Sequence, residues 1–279
     1  MSSPFPTKRM LGIEFFIGTP AEAIAHISKT GGLLVAPAAP SFIALQDDPD
    51  YRGAIADADL AIADSGWAVL FWRLFQQEKI TRISGLAVFK ALLETPEARI
   101  PRNLFFVLPT ENAKAKTIEF ARNSGYPTTA DDCYVAPRFS VGQALPPAEP
   151  INPGKRERLP YNSEEQRYII SDRALITILE SRKPKHVIIG IGGGTQDKLG
   201  SYLKHQLAYR PGIYCIGAAP GFVTGDQILI PMWADRFFVG WIFRIITQPR
   251  TLLPRFWRAR RLPRMMIKYG REAPVPEIN

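Results

Sequence analysis

The sequence predicts an α/β protein, Rossmann-like in plan, with a mainly parallel sheet flanked by helices and a basic helical appendage at the C-terminus. Three observations carry this prediction. Up to about residue 136, short apolar runs alternate with segments of helical period, the pattern of repeated βα units. After a proline-rich interval the pattern resumes, and an apolar run stops in the glycines of Gly190-Ile-Gly192-Gly-Gly194 before a polar helical stretch. Finally, nine basic residues and no acidic one lie between Trp241 and Arg271.

Leu11–Ile17 is expected as the first strand. Thr19-Pro-Ala-Glu22 then opens a helix, with a capping threonine, proline at the first helical position and a glutamate reaching back. Gly31 and Gly32 end that helix. Leu33–Val35 and Leu60–Ala63 are expected as buried strands, Ser65–Gln77 and Leu86–Glu94 as helices, Leu104–Leu108 as a strand and Thr110–Asn123 as a polar-faced helix. Pro137, Pro146, Pro147, Pro150, Pro153 and Pro160 prevent regular structure, so residues 137–160 read as an exposed, irregular insertion. Ser163-Glu-Glu-Gln166 has the form of another capping box, opening a helix to about Arg182. His186–Ile191 follows as a strand, Thr195–Leu207 as a helix and Ile213–Ile216 as the last strand. The expected division is an α/β domain over residues 1–233 and a basic amphipathic segment over 234–279.

A length of 279 residues, 46% hydrophobic content and a mean hydropathy of -0.07 fit a globular chain able to bury a sizeable core. No run approaches the roughly 18 consecutive apolar residues that span a bilayer. The first residues have too short an apolar core, and no convincing cleavage site, for a signal peptide. Cys133 and Cys215 are too few and too separate for a disulfide framework and are expected as buried thiols in a reducing compartment. His26, His186 and His205 lack metal-ligand spacing among themselves or with the cysteines, which argues against zinc. Neither a nucleophile elbow nor a Cys–His arrangement is present. The net charge of +9 is accounted for by the nine cations between Trp241 and Arg271, leaving the remainder neutral.

Three stretches are candidates for function. At Gly190-Ile-Gly192-Gly-Gly194-Thr-Gln196-Asp197, glycines between strand and helix let backbone N–H groups approach an anion at a helix N-terminus. The stretch lacks the lysine and Ser/Thr of a Walker loop, so a tight turn is an equal reading; Gln196 and Asp197 add groups suited to a base, ribose or sugar. In Ala58-Asp-Leu-Ala-Ile-Ala-Asp64-Ser65-Gly66-Trp67, Asp64 closes an apolar run where open α/β sheets hold ligands. It is a candidate general base or, alternatively, a cap for the next helix. From Trp241 onward, arginines alternate with Phe243, Phe256, Trp257, Met265 and Met266, which suits an anionic membrane interface. Nucleic-acid binding would use the same charge with fewer large aliphatics, and a solvated basic tail is the third reading.

Taken in order, these pieces resemble the WecG/TagA/CpsF glycosyltransferase family over roughly residues 10 to 258. Its ADLxxxDGxG segment is similar to Ala58 through Gly66, and its R-V-x-G element to Arg82-Ile-Ser-Gly85. Its VGLGxPKQE element is similar to Ile189 through Asp197, and its GGxFDxxxG…RAPxW run to Gly217 through Gly225 followed by Ile230-Pro231-Met-Trp233. Its EWLYRLxxEPRR ending is similar to Gly240-Trp241 through Pro249-Arg250.

The resemblance implies an inverting, metal-independent hexosyl transfer, with no cofactor, from a nucleotide-diphosphate sugar to a polyprenyl-diphosphate-linked glycan. It implies cell-surface polysaccharide synthesis by a peripheral protein at the cytoplasmic face of the inner membrane, without nucleic acid and with a possible homo-oligomer. The implied catalytic residues are Asp64 and Arg82. Ser65, Gly66, Gly85, Gly190, Gly192, Gly194, Gln196, Asp197, Gly221 and Phe222 would contact substrate, with Gln196 and Asp197 at the lip of the cleft. Trp241, Arg244, Arg250, Arg255, Trp257 and Arg258 would meet the membrane or acceptor. A chain ending at about Ala234 is accordingly expected to be soluble and inactive. The sequence departs from the family where Ala36-Pro-Ala38 replaces TxN, and where Ala87, Leu229 and Gly240 replace an aspartate, an arginine and a glutamate. Gly194 and Thr195 stand for the proline and lysine of PKQE. These losses imply a different donor or acceptor, or a non-catalytic homologue that binds nucleotide-sugar or lipid as a scaffold.

Overall fold

The computed structural model describes residues 5–137, 170–227, 257 and 259–274. The elements run β1 (Thr7–Met10), β2 (Ile13–Phe16), α1 (Pro20–Thr30), β3 (Gly32–Val35), α2 (Ala39–Asp47), α3 (Pro49–Ala56), β4 (Leu60–Ala61), α4 (Gly66–Gln76) and α5 (Gly85–Leu93). A 3-10 turn (Pro96–Arg99) leads into β5 (Leu104–Leu108), α6 (Glu111–Asn123) and β6 (Cys133–Val135). Beyond residue 170 come α7 (Arg173–Arg182), β7 (His186–Ile189), α8 (Thr195–Gln206), β8 (Gly212–Cys215), α9 (Ala219–Thr224) and α10 (Leu262–Tyr269).

The strands form one sheet in the order β1-β2-β4-β3-β8-β7-β5-β6, parallel throughout except for the β1–β2 pair. Alternate residues of each central strand face opposite sides, and both sides are covered. Leu33, Val35, Phe105, Val107, Val187 and Ile189 pack with Phe42, Tyr51, Trp72, Leu175, Leu199 and Leu262 of the helices on one side. Leu34, Phe106, Ile188 and Tyr214 pack with Ile24, Ile27, Phe89 and Leu92 on the other. The predicted mainly parallel α/β sheet with flanking helices is therefore the observed fold. No helix among the described residues is long and apolar enough to cross a membrane.

The differences from the sequence reading are local. Leu11–Ile17 is not one strand: Leu11 and Gly12, with φ of 51° and 80°, turn the chain into the β1–β2 hairpin. The tip is covered by the chain after α10, since Leu11 and Gly12 donate to the carbonyls of Gly270 and Arg271 at 3.0 Å. The strand at Leu60 stops at Ala61, and that at His186 stops at Ile189. The helix expected from Ser163 begins instead at Arg173, where the Asp172 carboxylate accepts from Leu175 N–H at 2.9 Å. Ser163–Gln166 and the proline-rich stretch after Pro137 lie outside the described residues. Two helices, α2 and α3, occupy a region that periodicity left unassigned; each has a proline in its first turn.

Part of the basic C-terminal segment belongs to the core. Leu262, Met265 and Met266 of α10 are buried against α4, and the Gln76 amide donates to Met266 O at 2.9 Å. The two methionines expected at a membrane interface face the protein instead.

Candidate active site

The register of the central strands brings their ends to one line. Ala61 of β4 pairs with Val35 of β3, Val35 with Cys215 of β8, Cys215 with Ile189 of β7, and Ile189 with Val107 of β5. The segments that follow therefore emerge along a single carboxyl edge: Ile62–Ser65, Ala36–Ala38, Ile216–Ala218, Gly190–Gly194 and Leu108–Thr110. Helices α2, α4, α5, α8 and α9 all start here, so their N–H groups and dipoles favour an anion at this edge.

Asp64 stands at the end of β4 and is half-buried. It does not cap α4; Ser65 does, its hydroxyl accepting from Ala68 N–H at 3.2 Å, and Gly66 is the first helical residue. The Asp64 carboxylate instead reaches the start of α5, where Oδ1 accepts from Gly85 N–H at 2.9 Å. Arg82 donates from Nε to the Asp64 carbonyl at 3.0 Å. One backbone hydrogen bond and one guanidinium contact thus join carboxylate, cation and helix terminus, and Oδ2 has no hydrogen-bond partner among the described residues.

The glycine turn lies across the same edge. Gly192 and Gly194 have φ of 107° and 84°, conformations that side chains rarely adopt, and a Cβ on either would meet nothing within 4 Å. Positive φ with open space beside it leaves the backbone of this turn accessible, which suits a cradle for an anion as well as a simple reversal. Gly190 faces Gly217, with 3.3 Å between its Cβ position and the Gly217 carbonyl oxygen, and Gly193 lies against the Ser41 hydroxyl. The Asp64 side and the glycine side meet through β8: the Cβ position of Gly85 is 3.1 Å from Ile216 O, and that of Gly217 is 3.6 Å from Gln196 Oε1.

Gln196 and Asp197 are not at the lip. They are 2% and 0% exposed. The Gln196 amide donates to Cys215 O at 3.1 Å, tying the turn to β8, while its buried Oε1 has no hydrogen-bond partner among the described residues. Asp197 Oδ2 accepts from Gly194 N–H at 3.0 Å, so the carboxylate fixes the turn from within. Burial raises the Asp197 carboxyl to about 7, against the pull of the Gly194 hydrogen bond.

Gly221 and Phe222 lie in α9 on the same edge, both half-buried, and Gly221 O accepts from Gln227 N–H at 2.8 Å. A recess of about 40 Å³ between Gly190, Gly217, Pro220 and Asp226 marks this end of the crevice. A larger one, about 460 Å³, lies between α1, α5 and Lys185 at the amino end of β7, the opposite edge of the sheet, and has no part in this constellation. Trp257 is 63% exposed, with the Arg260 guanidinium 4.1 Å from its ring centroid. Trp241, Arg244, Arg250, Arg255, Arg258, Leu229 and Gly240 lie outside the described residues. Ala36, buried, and Ala38 stand at the end of β3, and Ala87 in the first turn of α5, so these departures from the family pattern cluster at the crevice. Gly217 was not among the expected contacts, though its position closing an apolar run was the available signal; Ser41 gave none. Among the described residues no group of three or more His, Cys, Asp or Glu side chains is arranged to hold a metal ion.

A doubly covered parallel sheet with a carboxylate, an arginine and a glycine turn at its carboxyl edge defines an α/β protein whose strand ends are suited to an anionic ligand. Comparison with known families makes the class specific: residues 8–139 and 154–276 match the Glycosyl transferase WecG/TagA/CpsF family, and the chain belongs to that family. No curated protein matches the chain.

Proposed function

We propose that this glycosyltransferase moves a sugar, with inversion and without a metal, from a nucleotide-diphosphate donor to a polyprenyl-diphosphate-linked acceptor in cell-surface polysaccharide synthesis. The observation that carries the reading is the arrangement of Asp64, with one carboxylate oxygen fixed by Gly85 N–H, the other without a hydrogen-bond partner among the described residues, and Arg82 bound to the Asp64 carbonyl. In a single displacement the second carboxylate oxygen takes the proton of the acceptor hydroxyl as the hydroxyl oxygen attacks the anomeric carbon. The bond to the donor's diphosphate breaks, and the nucleoside diphosphate leaves with the charge. Arg82, the helix N-termini and the Gly190–Gly194 cradle supply positive potential where that charge develops. The cytoplasmic face of the inner membrane is the place where such an acceptor is met, and the basic C-terminal segment supports peripheral attachment there.

Incubating the purified protein with uridine- and guanosine-diphosphate sugars and a polyprenyl-diphosphate-linked sugar tests the proposal. Acceptor-dependent release of nucleoside diphosphate is expected. A second reading, a nucleotide-sugar-binding scaffold, is favoured by Ala36, Ala38 and Ala87 at the crevice. It predicts a thermal shift with nucleoside diphosphate and no turnover with any donor.

A further inference from the structure

Helix α4 is apolar on two opposite faces. Ala68, Val69 and Trp72 enter the core, as one face should. The opposite face is also apolar: Leu70, Leu74 and Phe75 are 45%, 65% and 37% exposed, with half-buried Trp67 and Phe71 between them. At 100° per residue these five positions form one continuous stripe. Their rings run together along it, Trp67 to Phe71 at 5.3 Å and Phe71 to Phe75 at 5.9 Å between centroids. A helix of this kind is normally buried on all sides, and contiguous exposed apolar surface marks an interaction site.

The charge around the stripe identifies the partner. Helix α4 contains no acidic residue and exposes Arg73. Its neighbour α10, packed against it, exposes Ile267 (62%) with Arg264 and Lys268, again without an acid. Glu78, the acid that follows α4, is engaged by Lys8 and Arg271 at 3.4 and 3.3 Å. Large aliphatic and aromatic groups on two helices whose charged residues are all cations suit the boundary between anionic headgroups and acyl chains.

We propose that the outward face of α4, with α10 beside it, docks on an anionic lipid bilayer. This adds a helix of the α/β domain to the membrane contact expected of the basic 234–279 segment. The stripe begins at Trp67, three residues from Asp64, so docking holds the crevice at the membrane surface. The proposal rests on the membrane-facing reading above, but its test needs neither donor nor acceptor.

The experiment is flotation of the full chain and of the double variant Leu70→Glu/Leu74→Glu with vesicles of phosphatidylglycerol and phosphatidylcholine, and with phosphatidylcholine alone, over a salt series. Both leucines are exposed, so the variant should keep its melting temperature and its thermal shift with uridine diphosphate or guanosine diphosphate. The expected result is salt-sensitive binding of the wild type to the anionic vesicles only, weakened on the order of a hundredfold in the variant. Equal binding by the two proteins overturns the proposal, as does failure of the wild type to bind. If gel filtration shows the wild type as an oligomer that the variant disrupts while vesicle binding is unchanged, the stripe is a contact between copies of this chain. Vesicle binding by a protein that turns over no donor refutes the proposed activity and leaves the docking surface standing.

Discussion

Asp64 and Asp197 are two carboxylates on one sheet edge with opposite situations. Asp64 has one carboxylate oxygen without a hydrogen-bond partner among the described residues, and its carbonyl is bound by Arg82, whereas Asp197 is sealed under the glycine turn it holds. The Asp197 carboxyl, raised by burial to about 7, keeps its proton in the folded protein at pH values where the unfolded chain has lost it. Its contribution to stability is therefore present at low pH and declines as pH rises from about 4 to about 7. Urea denaturation at a series of pH values should show Asp197→Asn removing this decline and gaining stability relative to wild type above pH 7. Arg82→Ala should lower kcat/KM by about a hundredfold or more, the range for removing a donor from a developing charge, with little change in melting temperature. Asp64 was legible because it closes an apolar run. The inward placement of Asp197 was not, since a polar residue after a glycine turn carries no mark of which way it faces.

At the scale of elements, the glycine turn and α10 make contrasting demands. Gly192 and Gly194 need positive φ but have open space beside them, so Gly192→Ala should cost about 1–3 kcal/mol through backbone strain, not collision. It should also weaken nucleoside diphosphate binding, measurable by thermal shift at matched folded fractions. Helix α10 is needed for packing. Ending the chain at about Ala234 removes Leu262, Met265 and Met266 from the core, so the truncate should lose on the order of 5 kcal/mol or more and aggregate, contrary to the expectation of a soluble protein. Met266→Ala alone should cost about 2–5 kcal/mol in urea denaturation. The periodic helices, α1, α4, α6 and α8, were readable from caps and spacing. The hairpin was not, because Leu11-Gly12 is a turn only when both residues take positive φ, and the apolar run continues past it. Nor were α2 and α3, which hydrophobic spacing left unassigned although each has a proline in its first turn.

For the molecule as a whole, the parallel α/β sheet could be read from the alternation of apolar runs and helical segments, and strands β3, β5, β7 and β8 fall close to their expected bounds. The order of strands could not, since β8 inserts between β3 and β7 through contacts that no local pattern encodes. That insertion puts Ile216 and Gly217 between the carboxylate and the glycine turn, which the proposed function joins into one site. The central claim is that this joined site transfers a sugar with Asp64 as the base. Its most direct test is acceptor-dependent release of nucleoside diphosphate by Asp64→Asn beside the wild type, with both proteins matched for folding by circular dichroism and for nucleoside diphosphate binding. The account predicts that the variant binds the nucleotide normally and loses transfer by about a thousandfold or more, within the range for an essential proton acceptor. Turnover close to that of the wild type would contradict it.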